Sequence, residues 1–291
     1  MITYRNQSKP DYFRDFINRF RETGMEKQND EVVKKYALDN MPQPCEIEIE
    51  TINRCNGICP FCPINANEPQ RPYKVMTEEL FKKIIDELAT WNYSGKVGLY
   101  SNNEPFLDSR IPKWQKYAKE KVPNAYWHLY TNGTLLTVEL LEKMLPNIDE
   151  LLIDNYNDDG VMNPPVEKIS EYLNQHKDVS SKVNICMRKQ TEILNSRGGQ
   201  APNKKNKAKC LKARCVLPFQ QMIIRPDGKL SLCCADALGK YTLGDVNTAS
   251  LQQIWNSESY RNIREIMRNQ GRKALNLCNR CDVVGGKLDI E

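Results

Sequence analysis

Between residue 45 and about residue 202, short runs that alternate apolar and polar side chains are separated by longer stretches with apolar residues at helical spacing. The short runs predict strands at 45–51, 96–100, 125–130, 150–154 and 182–186. The longer stretches predict helices at 77–89, 112–121, 137–145 and 165–176, the first opened by Thr77 with Glu78 and Glu79 in its first turn. Strand–helix repetition of this kind builds a parallel sheet with helices outside, and curvature turns it into a full or partial barrel. Upstream, Tyr12, Phe13, Phe16, Ile17 and Phe20 recur at helical spacing and a second short helix is predicted at 30–38, so residues 1–44 read as a helical extension. From 203 to 291 the pattern changes: 221–225 and 230–234 flank the turn Pro226-Asp227-Gly228-Lys229, which predicts a β-hairpin, and a helix follows at about 250–269.

Composition narrows this only a little. With 291 residues, 40% hydrophobic and 27% charged, the chain has ample length for a core. No apolar run approaches the roughly 20 residues that span a bilayer, and the N-terminus does not read as a signal peptide, which points to the cytoplasm. Eleven cysteines in a reducing compartment suggest metal binding or redox chemistry rather than disulfides. The net charge of +5 is mild, and the basic run at 203–209 lacks interleaved aromatic residues, so nucleic acid is not indicated as a partner.

The sharpest chemical signal is Cys55-Asn56-Gly57-Ile58-Cys59-Pro60-Phe61-Cys62, a CxxxCxxC loop directly after the first predicted strand of the repeat. Three thiolates on a Gly- and Pro-containing loop can converge on one metal centre. Zinc would require a fourth Cys or His from elsewhere, and the chain has only His128 and His176; an iron–sulfur cube can leave one iron open to a small molecule. A metal-free group of reduced thiols is the remaining reading.

This loop, with Phe61 before its last cysteine, resembles the signature of the radical S-adenosylmethionine (radical SAM) enzymes. The resemblance implies a partial (β/α)6 barrel, a [4Fe–4S] cluster on Cys55, Cys59 and Cys62, and SAM chelated to the open iron. Reductive cleavage of SAM would then yield a 5′-deoxyadenosyl radical that abstracts a substrate hydrogen. In α/β folds of this type function gathers at the carboxyl ends of the strands. The second strand ends in Asn102-Asn103-Glu104-Pro105, where the family carries Gly-Gly-Glu-Pro to engage the SAM amino group. Asparagine tolerates a left-handed backbone, so the glycine path could be kept. Thr131 and Asn132 at the next strand end are similar to the family's Thr-Asn-Gly turn, and Asp154 closes the fourth with acceptors suited to hydroxyl groups.

The C-terminal part resembles the shortened SPASM, or twitch, domain of the same family. The resemblance rests on Cys215 ahead of Pro218-Phe219, Asp227-Gly228 before Cys233, Leu243-Gly244-Asp245, Ile254-Trp255-Asn256 and the closing Cys278-Asn279-Arg280-Cys281. It implies a second, fully ligated [4Fe–4S] cluster on Cys215, Cys233, Cys278 and Cys281, with Cys210 able to displace Cys215; in isolation these thiols could equally bind zinc.

Within that branch the compact layout and the Ser196-Arg197-Gly198-Gly199 loop are similar to carbohydrate-acting members of aminoglycoside pathways, both dehydrogenases and epimerases. The likeness places Arg197 at a small polar substrate of sugar, aminocyclitol or aminoglycoside type and implies an electron donor such as flavodoxin or ferredoxin. Hydrogen abstraction from a carbinol carbon starts both reactions. Epimerisation then needs a thiol to return hydrogen to the opposite face, and Cys234 beside Cys233 is the candidate; dehydrogenation instead passes an electron to the auxiliary cluster. Asp236 is a candidate for holding a substrate hydroxyl or amine. Peptide modification and simple electron transfer are the other function classes compatible with these motifs.

Overall fold

The alternating runs of the central segment become neighbours in one sheet of the computed structural model, which describes residues 2–4, 24–68, 71–204 and 210–284. In chain order the strands are β1 (Ile2–Tyr4), β2 (Glu46–Ile49), β3 (Lys96–Gly98), β4 (Tyr126–Thr131), β5 (Glu150–Tyr156), β6 (Val183–Arg188), β7 (Gln221–Ile224) and β8 (Leu230–Ser231). Across the sheet they run β1-β6-β5-β4-β3-β2-β7-β8. Every neighbouring pair is parallel except the hairpin of β7 with β8.

The parallel order follows from the helices that return the chain between strands: α1 (Met25–Lys35), α2 (Glu78–Thr90), α3 (Ile111–Lys121), α4 (Val138–Met144) and α5 (Pro164–Gln175), with α6 (Leu251–Trp255) and α7 (Glu258–Asn269) in the C-terminal part. Thr77 caps α2 by accepting from Leu80 N, and Thr137 caps α4 through Leu140 N, as the first-turn patterns predict. The inward stripe of α2 buries Leu80, Phe81, Ile84, Ile85 and Leu88, and Phe81 stacks on Trp114 of α3 with ring centroids 4.2 Å apart. On β2 the isoleucines join this core while the glutamates take the other face.

Two expectations are corrected. Residues 2–4 are not part of a helical preface but add β1 beside β6, and α1 starts earlier than the predicted 30–38; the proposed helix around Tyr12–Phe20 lies outside the described residues. The helix predicted at 250–269 is two helices, because Ser257 turns out of the first and caps the second through Tyr260 N. The buried Arg264 of α7 fills the break, donating to Trp255 O at 2.8 Å and Pro218 O at 3.0 Å. The C-terminal hairpin predicted from the turn at 226–229 joins the central sheet: β7 pairs in parallel with β2 from Glu46↔Gln221 to Ile49↔Ile224. No helix among the described residues is long and apolar enough to cross a membrane.

Candidate active site

At the carboxyl ends of β2 to β5 the sheet borders a cavity of about 410 Å³. Cys55, Cys59 and Cys62 line it, as do Phe61, Asn102, Asn103, Glu104, Thr131, Asn132, Asp154, Arg197 and Cys234. Pro105 stands behind this wall, starting the short helical turn Pro105–Leu107. The cysteine loop is drawn tight by Asn65, whose buried amide donates to Cys59 O at 3.1 Å and Cys62 O at 2.7 Å. A Cβ on Gly57 would stand 3.3 Å from Cys55 Sγ, so a side chain there would crowd the thiols. Burial, then mutual repulsion among the three sulfurs, pushes the Cys59 thiol up to about 12; Cys55 rises to a similar value, mainly through burial. Three soft donors held apart and short of positive charge fit a cluster whose irons supply it.

Glu104 lies against this loop and is buried, which raises its pKa. Its carboxylate accepts from Thr131 Oγ1 at 2.7 Å, Asn132 N at 2.8 Å and Phe106 N at 3.2 Å. Asn132 also donates to Asn56 Oδ1 at 2.9 Å, so the turn after β4 ties Glu104 to the cysteine loop. Asn102 and Asn103 do not adopt the left-handed backbone that their replacement of glycines suggested; among the described non-glycine residues only Asn92 and Arg197 have positive φ. Their side chains are what matters: Asn103 Oδ1 accepts from Ser101 N, and Asn102 donates to Cys234 O at 3.1 Å. Asp154 is fixed by Arg188, a buried residue of β6 that the sequence pattern did not single out, at 3.3 Å. The Arg188 guanidinium also pairs with Glu192 at 2.8 Å and lies over the rings of Tyr156 and Phe61.

The same cavity is also lined by residues that carried no expectation: Glu46, Glu48, Tyr100, Ser101, Tyr130 and Gln221. Glu48 Oε2 accepts from Ser101 Oγ at 2.5 Å, and Gln221 Nε2 donates to Glu48 Oε1 at 3.0 Å and Glu46 Oε2 at 2.9 Å. Gln221 Oε1 meanwhile accepts from Cys234 N at 3.1 Å. Burial, then the neighbouring Glu46, pushes the Glu48 carboxyl up to about 8. The signal was present in the sequence as glutamates alternating along the strand before the cysteine loop. Arg197 sits in the left-handed region (φ 45°) and its Nη1 reaches Asn102 Oδ1 at 2.5 Å and Cys234 O at 3.2 Å. Burial, then Glu48, raises the Cys234 thiol well above its ordinary value, so it stays protonated at neutral pH.

On the far side of Cys234 the other cysteines gather. Cys215, Cys233, Cys278 and Cys281 are all buried, and Cys233 is raised by burial and by Cys234, Cys215, Cys278 and Cys281. Cys210 is only partly buried; its thiol lies 3.1 Å from Leu211 O and 3.4 Å from Cys278 O, at the edge of the same group. Arg272 faces these thiols; burial works against its charge, and Cys215, Cys281, Cys278 and Cys210 outweigh it. Among the described residues no three or more His, Cys, Asp or Glu side chains close around a point as ligands of one ion do. Asp236 does not meet its expectation: its buried carboxylate accepts from Lys240 N at 2.8 Å, Tyr241 N at 2.9 Å and Gln200 Nε2 at 3.4 Å, and it does not line the cavity. It braces the turn after Cys233.

Comparison with known proteins agrees with this arrangement. Residues 49–157 match the family described as the Radical SAM superfamily, and residues 215–282 match SPASM, an iron-sulfur cluster-binding domain. A relative from Niallia circulans, S-adenosyl-L-methionine-dependent 2-deoxy-scyllo-inosamine dehydrogenase, is 23% identical over 241 residues, covering 82% of this chain and 92% of the relative. An Fe-coproporphyrin III synthase from Methanosarcina barkeri is 35% identical over 91 residues, which is 31% of this chain and 22% of that protein. Among solved structures, BtrN in complex with AdoMet and 2-DOIA superposes with a TM-score of 0.72 at 21% identity, covering 84% of this chain and 95% of BtrN. The structure of anSMEcpe with bound AdoMet gives 0.52 at 13% identity over 82% and 85% of the two chains. These likenesses establish a shared fold.

Proposed function

The chain is a radical SAM enzyme with a C-terminal SPASM-type iron–sulfur domain, and we propose that it epimerises a carbinol carbon of a small carbohydrate-type substrate. Cys55, Cys59 and Cys62 hold the SAM-binding [4Fe–4S] cluster, and Cys215, Cys233, Cys278 and Cys281 hold the auxiliary one. When bound, the first cluster and SAM supply a 5′-deoxyadenosyl radical that takes a hydrogen atom from carbon. Glu104, oriented by Thr131 and Asn132, receives the SAM amino group; Asp154, fixed by Arg188, receives hydroxyl groups of its ribose. Phe61, Asn102 and Asn103 complete the SAM side of the cavity. Arg197 faces the substrate.

The observation that carries epimerisation is the position of Cys234: a protonated thiol lines the same cavity as the three-cysteine loop. A thiol is a good hydrogen-atom donor to a carbon radical; the thiyl radical left on Cys234 would then take one electron from the external donor and one proton from solvent to restore the thiol. Turnover of candidate sugars and aminocyclitols in deuterium oxide tests it. Native enzyme should place one solvent deuterium at the inverted carbon, and Cys234→Ala should lose that product while still forming 5′-deoxyadenosine. A ketone formed equally by both proteins overturns the epimerase reading. It would favour instead the second reading, dehydrogenation with the auxiliary cluster as electron acceptor, which is supported by the name of the Niallia circulans relative. Either reaction draws on an external one-electron donor.

A further inference from the structure

The epimerase reading uses the cysteine loop, Glu104, Asp154 and Cys234, and leaves unassigned the wall built by Glu46, Glu48, Ser101 and Gln221. Glu48 is the carboxylate of that wall tied to the thiol-bearing residue, because Gln221 donates to Glu48 Oε1 at 3.0 Å and accepts from Cys234 N at 3.1 Å. Resting on that reading, the carbon that receives hydrogen from Cys234 sits in the cavity that Glu48 also lines. The polar substituent on that carbon is its hydroxyl.

We propose that Glu48 is a catalytic residue that accepts a hydrogen bond from the hydroxyl group on the reacting carbon. Its rivals are engaged elsewhere. Glu104, beside the cysteine loop, serves the SAM amino group, and Asp154, paired with Arg188, serves the SAM ribose. Arg197 directs Nη1 at Asn102 and the Cys234 carbonyl. Glu48 is positioned for the task on both oxygens, by Ser101 Oγ on one and Gln221 Nε2 on the other, and its strand is anchored by β3 and β7 on its two sides. Carboxylate oxygens have lone pairs for more than one donor each, so these contacts leave room for a substrate hydroxyl. The same Gln221 accepts from Cys234 N, which fixes the spacing between the carboxylate and the thiol-bearing residue.

The chemistry gains from this contact in the transition state more than in the ground state. Hydrogen bonding to the carboxylate increases electron density on the carbinol oxygen. That density weakens the adjoining C–H bond and stabilises the electron-poor centre formed as its hydrogen leaves. No proton is consumed: the hydroxyl keeps its hydrogen in the product.

The test uses cluster-loaded enzyme and the polyol found to turn over in the deuterium experiment. Glu48→Gln keeps the shape and can still accept from Gln221 through its amide oxygen, while its amide nitrogen donates to Ser101 Oγ in place of the present bond, so folding should be preserved. Its kcat should fall about a hundredfold with KM nearly unchanged. A partial return of kcat in Glu48→Asp would mark a carboxylate requirement. The native kcat should rise with pH through about 8, as Glu48 ionises, and the rise should be absent in Glu48→Gln. The groups facing Glu48 are Glu46 and Glu50 from its own strand, Tyr100 and Ser101 after β3, Tyr130 on β4, Arg197, Gln221 on β7 and Cys234; Ser101 and Arg197 lower its pKa while Glu46 and Glu50 raise it. Ser101→Ala should therefore move the rise to higher pH. Independently of turnover, calorimetry should show the native protein binding the polyol roughly tenfold tighter than its analogue lacking that hydroxyl, with the preference lost in Glu48→Ala. Native kcat in Glu48→Gln, or an unchanged rise near pH 8 in that variant, overturns the role of Glu48. Failure of every polyol to turn over overturns the epimerase reading itself, and this role with it.

Discussion

Glu104 illustrates how a single side chain acquires its task from neighbours. A buried carboxylate without partners would be neutral and poorly directed, because burial disfavours its charge. Thr131 and the Asn132 backbone hold it in one orientation. Thr131→Val keeps the shape and deletes the 2.7 Å hydrogen bond, so SAM binding to the cluster-loaded protein should weaken about tenfold by calorimetry. Unchanged affinity would show that the backbone bond alone suffices. In the sequence Glu104 was legible from Glu-Pro at a strand end, whereas its dependence on Thr131 was not, since 27 residues of chain separate them. Asp236 shows the reverse error: an acidic residue near a candidate thiol read as a ligand group, yet it is consumed by the backbone of its own turn.

At the scale of elements, the loop carrying Arg197 is built against the second cysteine knuckle. Ser196 Oγ donates to Arg280 O at 2.7 Å, Lys204 pairs with Asp282 at 2.7 Å, and Gly198 and Gly199 follow Arg197 into the left-handed region. A Cβ on Gly198 would meet Leu277 Cδ1 at 2.4 Å and the Leu277 carbonyl at 2.9 Å. Gly198→Ala should therefore cost about 1–3 kcal/mol, read as a lowered thermal midpoint of the cluster-loaded protein. It should also reduce substrate turnover, because Arg197 moves with the loop. The helices of the central segment were predicted nearly residue by residue, since their caps and apolar stripes are local. The single helix expected at 250–269 was not, because apolar spacing runs on through Ser257 and the break is decided by Arg264 packing between the two pieces.

For the whole molecule the decisive contact is β7 against β2. It brings the C-terminal cysteines to the edge of the central sheet and lets adjacent residues serve two sites, with Cys233 among the second cysteine group and Cys234 in the cavity. The two residues stand in the turn that follows β8, closed by Asp236 N donating to Cys233 O at 3.0 Å, and the turn sends their side chains to different sites. Anaerobically assembled protein should contain about eight iron atoms per chain. Replacing Cys55, Cys59 and Cys62 together should leave about four, and SAM cleavage should vanish. Zinc at both cysteine groups, or a count that does not drop in the variant, would remove the basis for two separate clusters.

What the chain encodes locally was therefore readable from its order of residues alone: the strand–helix alternation, the three-cysteine loop, Glu104 at its strand end and the closing pair of cysteines. Each depends on spacings of a few residues. The inward direction of Glu46 and Glu48 depended on tertiary structure, because alternation along a strand marks two faces without saying whether the polar one meets water or a cavity. Only the pairing of distant strands encloses that face, isolates Glu48 from solvent and sets it beside a thiol from the far end of the chain.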